Sequence, residues 1–535
     1  MLGQRDWKAV FAVAAASCLV KILSSPIRGF WLDEYYTMQS ASLPFQQMVA
    51  ERINAGHSPL PFLYARFFLI TLGSSETAAR ASAALAVAFA IIGSAALLSR
   101  LRLREHLAPF LAIAFFHPYW QAIGTEFRYT MPLVAICAFW AWAYTAWLRR
   151  ERPKQWIASV VLGALALWTH ASAQFLLIAF LLSATAWVAT RQHLEGAMGR
   201  WIKALSPLLA SLLLSVPLLY ALSGGNGPQG RTENPDLAAM VNNQMKTFFA
   251  DDAIFQAATG VRDDVFMGLF VLVSAVAVVL AARFALRRGR TLTLCLLFGS
   301  LVALPFCAMA FSFIVKNIQG PHRYVAFTSV PLLIVFAIAW TESARIHILG
   351  RIAYRSVFSI LTASAFFLQV FNQGDWHREA CIWLAHNRRA QEPIITMGRT
   401  MNLYALKVHG LPFDGFVDGV SSEDLDPKAL TEMIRDAAKD ADLAYLLVYH
   451  GARMDVGDAL GGMQSAGFLR TIWEQEPTAE VQLFVLTRNA AGDVRARELP
   501  ALRRPRFTES PTTGPRERLS VIEPPPPSSP APSGY

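Results

Sequence analysis

Residues 77–99 read TAARASAALAVAFAIIGSAALLS, an apolar stretch in which Arg80 is the one charged residue. A run of about 20 apolar residues matches the helix length needed to cross a hydrocarbon core of about 30 Å. Every backbone polar group inside that core must bond within its own segment, so the run must be helical. Arg100, Arg102 and Arg104 follow it directly. The stretch therefore predicts a transmembrane helix that ends in a basic loop.

Apolar stretches of the same kind recur through the first 371 residues. The first of them, 7–23, lacks a small-residue cleavage site and has Lys21 near its end, so we interpret it as an uncleaved helix. The pattern predicts a polytopic α-helical membrane protein with about 11 transmembrane helices. The predicted spans are 7–23, 77–99, 108–123, 131–148, 156–170, 172–190, 202–222, 265–285, 291–314, 325–340 and 353–371.

The composition favours this fold class over a soluble enzyme. Hydrophobic residues make up 54% of the 535 residues and charged residues only 16%, whereas soluble domains carry roughly 25% charged residues. Lys and Arg cluster in every second loop, and such loops stay on the cytoplasmic side. We therefore expect a multi-pass protein of the cell (inner or plasma) membrane with a cytoplasmic N-terminus. The net charge of +10 follows from these loops and does not indicate nucleic-acid binding.

Two of the loops expected on the outer side have features of their own. Residues 59–72, PLPFLYARFFLITL, are too short to span and are predicted to form a helix in the membrane interface. The loop 223–264 opens with SGGNGPQG, which indicates a flexible start, and it is a candidate lid over a site. All segments expected on the outer side are 24–76, 124–130, 223–264, 315–324 and everything after residue 371.

The chain changes character after its last predicted span. Residues 372–490 alternate helix-like stretches with short β-like runs such as AYLLVYH (444–450), which predicts a small extracytoplasmic α/β domain. Residues 491–535 are rich in Pro, Ser and Arg and cannot bury a core, so we expect disorder there. The predicted organisation is a membrane domain over 1–371, followed by this domain and this tail.

Polar and ionisable residues cluster at the outer ends of separate predicted spans. The most informative cluster is the pair Asp33 and Glu34 in WLDEYYT, because carboxylates at a membrane exit are costly unless they are used or solvated. Their shared side predicts one water-accessible pocket, with a general base and cations for an anionic leaving group. The other clusters are Tyr36, His57-Ser58, Glu76 with Arg80, Glu126 to Tyr129, His170, Lys316, and His322 to Tyr324.

Three of these clusters also have a structural interpretation that the sequence leaves open. Asp33 and Glu34 would then be a solvated pair of acids in a loop. Glu76 and Arg80 are one helical turn apart and would form an ion pair at a helix end. His170 would be a packed residue at the membrane interface.

The motifs and their order resemble the GT-C glycosyltransferases, the superfamily of the protein O-mannosyltransferases and the lipid A aminoarabinose transferases. The resemblance covers residues 1–371 and implies a GT-C-like fold with its site facing the outer leaflet or lumen. It also implies a donor sugar carried on a polyprenyl phosphate. The matching motifs are WLDEYYT (31–37), HSPLPFLYARFF (57–68), GTEFRYTMPL (124–133), LALWTHASA (165–173) and PHRYVAFTSVP (321–331).

The resemblance implies a role for each candidate site residue. Asp33 would be the general base that deprotonates the acceptor hydroxyl for inverting attack on the anomeric carbon. Glu34, also in the catalytic acidic pair, would bind the acceptor or order the loop. Donor-phosphate binding is implied for Arg128, Arg323, Tyr324, Lys316 and His57. Acceptor or sugar binding is implied for Glu126, Tyr36 and His170.

Two positions depart from the aminoarabinose transferases. Gly56 stands where those proteins carry a metal-binding Glu, and Tyr36 stands where they carry an Arg. Neither metal dependence nor the aminoarabinose substrate is therefore implied for this chain. Asp33 and Glu34 do offer the hard oxygen ligands that a divalent cation takes. No cofactor is predicted with certainty, and the question of a divalent cation stays open.

Together these features predict a glycosyltransferase. It would move a sugar from a polyprenyl-phosphate carrier to a glycolipid, a cell-envelope glycan or a protein on the outer face. The expected partners are that donor, that acceptor and the lipid bilayer, with no nucleic acid. A lipid-linked sugar transporter or flippase is an alternative that predicts charges at mid-helix depth and interrupted helices in two matching halves. A non-catalytic membrane scaffold is another, but it leaves the shared side of the polar clusters unexplained.

Overall fold

Helices dominate the first part of the chain and a small sheet lies in the last part. The structure is a computed structural model that describes residues 2–27, 30, 32–190, 197–223, 263–293, 295–297, 326–371, 377–397, 405–406, 408–412, 415–417, 443–449, 469–471 and 481–487. The helices begin with α1 (Gln4–Ser24), α2 (Leu32–Ser42), α3 (Phe45–Asn54), α4 (Leu60–Leu72), α5 (Glu76–Arg100), α6 (Leu107–Phe115), α7 (Pro118–Ile123) and α8 (Thr130–Arg150). They continue with α9 (Pro153–Thr169), α10 (Ala173–Ala189), α11 (Ala197–Ser223), α12 (Asp263–Arg287), α13 (Ser329–Glu342), α14 (Ile348–Phe371) and α15 (His377–Asn387).

The helices follow the apolar stretches of the sequence closely. Helix α5 covers the predicted span 77–99, and α4 occupies the stretch predicted to lie in the interface. Within the described residues, the helices long and apolar enough to cross a membrane are Gln4–Ser24, Glu76–Arg100, Thr130–Arg150, Met198–Leu222 and Ala326–Arg345. The prediction of a polytopic helical fold is confirmed. Most of the predicted span 291–314 and of the predicted lid 223–264 lies outside the described residues.

One predicted span is divided in the structure. The sequence indicated a single helix over 108–123, but α6 ends at Phe115 and α7 begins at Pro118. Pro118 has no backbone N–H to continue the helix, and the residue before a proline is driven towards extended backbone. His117 has φ −69° and ψ 111°, and its ring accepts a hydrogen bond from the Trp120 backbone N–H. The single-helix prediction was therefore wrong, because it followed hydropathy across a proline.

Close helix packing forms the centre of the bundle. Helix α5 packs against α1 and α8, and α9 packs against α8 and α11. Gly163 allows the second contact, because a Cβ atom there would lie 2.4 Å from Ser211 Oγ and 2.8 Å from the Trp140 ring. Small residues let helix backbones approach closely, which is how helices associate in a membrane. This close packing fixes the long helices relative to one another. The positions of the turns at both ends of the bundle follow from it.

The last part of the chain forms a mixed five-stranded sheet with α15 beside it. The strands are β1 (Ile394–Met397), β2 (Gly415–Val417), β3 (Leu443–Tyr449), β4 (Leu469–Thr471) and β5 (Val481–Thr487), in the order β2-β1-β3-β5-β4. Strand β1 pairs in parallel with β2 and β3, whereas β5 pairs antiparallel with β3 and β4. The α/β character predicted for this region is confirmed. The tail 491–535 lies outside the described residues.

The sheet region packs directly against the loop that follows the first helix. One buried apolar cluster contains Phe30 and Tyr35 from that loop and from α2, Phe127 from the α7–α8 turn, and Trp383 and Leu483 from the C-terminal part. Burial of side chains of this size stabilises by about 1.5–3 kcal/mol each. The C-terminal part therefore covers the acidic segment of the sequence.

Candidate functional site

Glu34 is clamped by Arg80 at the start of α5. The Arg80 guanidinium donates from Nε to Glu34 Oε1 over 2.8 Å and from Nη2 to Glu34 Oε2 over 2.7 Å. Arg80 also donates from Nη1 to the Ser25 carbonyl over 2.8 Å. Both side chains are almost completely buried, at 0% and 1% exposed. A two-pronged Arg–carboxylate pair is strong and directional, so it fixes the first turn of α2 against α5.

The same carboxylate holds the turn between α7 and α8. Glu34 Oε1 accepts a hydrogen bond of 2.7 Å from the Phe127 backbone N–H. Glu126 and Arg128, the two charged residues of the predicted turn motif, flank that N–H in the chain. Glu126 is buried and Arg128 is half-buried. Glu34 therefore positions two other candidate residues through the backbone between them.

Asp33 precedes Glu34 in the first turn of α2. Only its backbone is described, so its place is given by helix geometry. Residues three apart share a helix face, while adjacent residues point about 100° apart at 3.6 residues per turn. Position 33 therefore shares a face with position 36 rather than with position 34.

Tyr36 lies in an aromatic and cationic group with α3 and α4. The Tyr36 ring meets the His57 ring edge-to-face at a centroid distance of 6.5 Å. The Arg52 guanidinium carbon lies 4.3 Å from the Tyr36 ring centroid and 5.2 Å from that of Phe62. Arg52 is 2% exposed and pairs through Nη2 with Glu51. Its Nε and Nη1 are buried with no hydrogen-bond partner among the described residues. This group therefore places a buried cation on the face of α2 that Asp33 shares.

His170 lies in the turn between α9 and α10 and reaches the same region. Its ring stacks on Tyr129 at a centroid distance of 4.4 Å and an interplanar angle of 5°. The Arg128 guanidinium carbon lies 5.4 Å from the Tyr129 ring centroid. His57 and Arg128 are close enough to His170 to act electrostatically on its charge. A hydrogen bond from Ser58 Oγ to the Trp168 carbonyl joins the α3–α4 turn to α9. The three turns therefore meet at one end of the bundle.

The structure thus brings together six of the ten candidate residues predicted from the sequence. We call this end of the bundle the Glu34 end, and its described candidate residues are Glu34, Tyr36, His57, Glu126, Arg128 and His170. The Asp33 side chain lies outside the described residues. So do Lys316, Arg323 and Tyr324.

The contacts of the described residues bear on two interpretations made from the sequence. The suggested ion pair between Glu76 and Arg80 is replaced by two others, because Arg80 pairs with Glu34 and Glu76 pairs with Arg378 at 3.3 Å. The contacts of Glu34 match the second role proposed for it, the ordering of the loop. A direct role of Glu34 with the acceptor stays a prediction.

Two residues of this end, Arg52 and Arg80, were not among the candidate site residues predicted from the sequence. Arg52 received no role because it lies in a polar stretch with no motif around it. Arg80 was noticed only for its local partner, although its ion-pair partner Glu34 is 46 positions away. An arginine inside a predicted span was the available signal, because such a residue needs a partner.

The C-terminal part reaches this end through polar contacts as well. Tyr35 Oη and His409 Nε2 are 3.2 Å apart, within hydrogen-bond distance. Arg378 Nη1 donates to the Pro26 carbonyl over 2.8 Å, in addition to its pair with Glu76. The polar contacts and the apolar cluster together fix α15 and its neighbours over the loop that follows α1.

Among the described residues, no group of three or more His, Cys, Asp or Glu side chains is placed to hold a metal ion. The Asp33 carboxylate does not belong to that set, because its side chain lies outside the described residues. The divalent cation left open by the sequence stays a hypothesis about Asp33.

The class of this protein follows from three parts of its fold. These are the bundle of long helices, the short helices α2 to α4 and the C-terminal sheet. The chain is a polytopic helical membrane protein with the GT-C fold, as predicted. It is similar in structure to ArnT from Cupriavidus metallidurans bound to undecaprenyl phosphate, with a TM-score of 0.53 and 12% identity. The match covers 91% of this chain and 99% of ArnT. The likeness therefore extends over the C-terminal part as well as the helices.

Two further solved structures are also similar to this chain. Apo ArnT from Cupriavidus metallidurans gives a TM-score of 0.53 at 12% identity, over 90% of this chain and 97% of ArnT. The Archaeoglobus fulgidus oligosaccharyltransferase tethered with an acceptor peptide gives 0.48 at 10% identity, over 83% of this chain and 69% of that one. No protein-family model and no curated protein sequence matches the chain.

Proposed function

We propose that this protein is an inverting glycosyltransferase that uses a sugar carried on a polyprenyl phosphate. The observation that carries the proposal is the meeting of Glu34, Tyr36, His57, Glu126, Arg128 and His170 at one end of a GT-C bundle. The similar ArnT structure is bound to undecaprenyl phosphate, which supports a polyprenyl-phosphate donor. Basic loops at the opposite end support the proposal that the Glu34 end faces the outer side of the membrane.

In the proposed reaction, Asp33 takes the proton of the acceptor hydroxyl. The acceptor oxygen forms a bond to the anomeric carbon from the side opposite the phosphate. The bond between that carbon and the phosphate oxygen breaks, and its electron pair leaves with the polyprenyl phosphate. A positioned general base of this kind contributes typically 10²–10⁴-fold to a rate.

Cations at the Glu34 end would stabilise the leaving phosphate. Arg128 and His57 each lie close enough to His170 to act on its charge, and Arg323, Lys316 and Tyr324 are proposed to join them. Arg52 is added to this set because its buried Nε and Nη1 have no hydrogen-bond partner among the described residues. A guanidinium matches phosphate oxygens with two parallel hydrogen bonds. Glu126, Tyr36 and His170 are proposed to contact sugar or acceptor hydroxyls.

The C-terminal part is proposed to close this site from above. Tyr35 contacts His409, and Phe30 shares a buried cluster with Trp383. A cover of this kind excludes water, which favours transfer to the acceptor over hydrolysis of the donor.

The test uses the full chain in proteoliposomes with polyprenyl-phosphate sugars and candidate acceptors. The acceptor and sugar are first found by mass spectrometry of the cell envelope, comparing a strain that lacks the protein with its parent. Asp33→Asn should lower kcat at least 100-fold with an unchanged thermal unfolding midpoint. Arg52→Met should mainly raise KM for the donor.

The matched control for Asp33 is Asp6→Asn, which removes one carboxylate near the start of α1, at the opposite end of the bundle. Transfer at the normal rate in Asp33→Asn would exclude Asp33 as the base. Movement of the intact lipid-linked sugar across the membrane, without transfer to any acceptor, would instead favour the transporter alternative.

A further inference from the structure

A large basic cavity lies at the end of the bundle opposite to the Glu34 end. It has a volume of about 910 Å³ and is lined by residues 99–102, 146–151 and 288–292 together with Trp187, Arg200, Lys203 and Ala204. Small-molecule sites in proteins span about 300–1,000 Å³. The cavity is therefore large enough for a ligand the size of a lipid headgroup.

The distance between the two ends follows from the helices that join them. On α5, Arg100 in the cavity wall lies 20 residues after Arg80 of the clamp. At 1.5 Å per residue this separates the two arginines by roughly 30 Å. Helix α8 makes the same crossing from the Arg128 turn to Arg150. The cavity is therefore a second site, separated from the first by the thickness of a membrane.

The charge of the cavity wall is strongly one-sided. Among the lining residues that the structure describes, eight are Lys or Arg and one, Glu151, is an acid. Lys203 Nζ pairs with Glu151 Oε2 at 3.1 Å, and Arg290 is held by the Arg102 carbonyl at 2.7 Å and by Glu105 at 3.0 Å. Glu151 and Glu105 offset two of these charges. The described lining residues carry a formal excess of Lys and Arg over acids, and a cavity lined mainly by one sign of charge concentrates ions of the opposite sign.

The orientation of the protein in the membrane explains why these loops are basic. It does not explain why their Lys and Arg residues surround one cavity. The positive-inside rule requires only that Lys and Arg lie between spans on one side. Here the ends of α5, α8 and α12 and the first half of α11 converge on a single concave surface. Like charges around one cavity repel each other, and that cost is offset when an anion binds.

The surroundings of the cavity indicate that the anion belongs to a lipid. Trp147 and Trp187 line the wall, and Trp is enriched at membrane–water interfaces. On α11, Met198, Trp201 and Ile202 are 69%, 37% and 57% exposed beside the lining residues Arg200 and Lys203. Apolar residues next to a basic pocket suit acyl chains that continue from a phosphate headgroup.

We propose that this cavity binds the phosphate headgroup of an anionic phospholipid. Basic pockets between transmembrane helices on the cytoplasmic side bind headgroups of this kind. The proposal does not depend on the glycosyltransferase reaction, because no candidate site residue lines the cavity. A bound lipid would join the ends of α5, α8, α11 and α12 through its phosphate oxygens.

The experiment uses the full chain purified in a neutral detergent. Cardiolipin, phosphatidylcholine and inorganic pyrophosphate are titrated in turn, and binding is followed by native mass spectrometry and by the shift in the thermal unfolding midpoint. The test variant is Arg200→Gln/Arg288→Gln, which removes two cations from the cavity wall. The matched control is Arg152→Gln/Lys154→Gln, which removes two exposed cations from the same end outside the cavity.

We expect cardiolipin to bind the wild type and the control with Kd values within twofold of each other. The cavity variant should bind about 30-fold more weakly, since each Lys or Arg near anionic lipid contributes about 1 kcal/mol. Phosphatidylcholine should bind none of them measurably. If the double variant does not fold, Arg288→Gln alone should weaken binding about fivefold.

Equal binding of cardiolipin to the cavity variant and to the control would overturn the proposal. Binding of pyrophosphate with no binding of cardiolipin would also overturn it, because the cavity would then serve a soluble anion.

Discussion

Helix α5 begins and ends in arginines whose surroundings differ completely. Arg80 at its first end is enclosed, with Glu34 and the Ser25 carbonyl satisfying its guanidinium at 2.7–2.8 Å. Arg100 at its other end faces a cavity shared with seven further cationic residues. A charge inside a bundle is stable only with a fixed partner. Cations around an open cavity are tolerated at lower cost, because water and ligands reach them. The two ends of α5 therefore use charge differently. The charge of Arg80 stabilises the fold, whereas the charges around the cavity can bind a ligand.

The largest expected effect is the loss of the clamp. Arg80→Ala would leave the buried Glu34 carboxylate without its cation, and breaking such a pair costs about 3–5 kcal/mol. The free energy of unfolding in detergent, measured by denaturant titration, would fall by that amount. Glu34→Ala should have a similar effect. The double variant Glu34→Leu/Arg80→Met should lose less than the sum of the two, since no unpaired charge stays buried. A loss below about 1 kcal/mol in both single variants would contradict the role of the clamp.

The second effect concerns pH at the basic end. Burial of the His106 ring lowers its pKa to about 4, and the positive charge of the nearby Arg290 adds to this effect. The carboxylate of Glu105 acts in the opposite direction and raises the pKa of His106. The unfolded chain then takes up a proton near pH 6.5 before the folded chain does. Stability is therefore complete above pH 6.5 and falls as the pH drops towards 4. His106→Asn should remove on the order of 1 kcal/mol of the loss between pH 7 and 5. Identical pH profiles for the variant and the wild type would exclude this assignment.

The third effect sharpens the description of the clamp. Arg378 and Glu76 form an ion pair at the same end, but their side chains are 18% and 17% exposed. Water therefore screens this pair more than the pair of Glu34 and Arg80. Arg378→Ala should cost about 1 kcal/mol of unfolding free energy, again by denaturant titration. If Arg378→Ala lowered the free energy of unfolding as much as Arg80→Ala, burial would not be what sets the cost of breaking an ion pair at this end.

The smallest effect has the opposite sign. Arg288→Gln removes a cation from the wall of the basic cavity. In lipid-free detergent this should leave the free energy of unfolding unchanged or raise it by a few tenths of a kcal/mol, because repulsion is relieved. Denaturant titration again measures the free energy of unfolding, with Lys154→Gln as the comparison outside the cavity. A loss above 1 kcal/mol would show that Arg288 is held in a structural pair.

Much of the helical fold could be read from the sequence because hydropathy has a length scale. The bilayer sets about 20 residues for a span, and α5 and α8 follow their stretches to within a few residues. The division at Pro118 was missed although a proline inside a span is itself a signal. Strands β2 and β4 are three residues each, which is too short for alternation to be recognised.

The site was predictable in part for a related reason. Local motifs identified Tyr36, His57, Glu126, Arg128 and His170, and the structure gathers them at one end. The partner of Arg80 was not predictable, because periodicity compares residues within a few turns and Glu34 is 46 positions away. Arg52 lacks even a local signal. Its importance comes from Tyr36 and Phe62, which face it from two other helices.

The cluster that joins Phe30 to Leu483 has a consequence for how the protein is made. These two residues, near opposite ends of the chain, share one buried core. A ribosome releases the N-terminal part first, so the loop after α1 emerges without the strand that will cover it. Phe30 and Tyr35 therefore lack the cover of Leu483 until the helices that lie between them and Leu483 in the chain have been inserted. The Glu34 end can therefore be completed only after the strand that contains Leu483 has been translated.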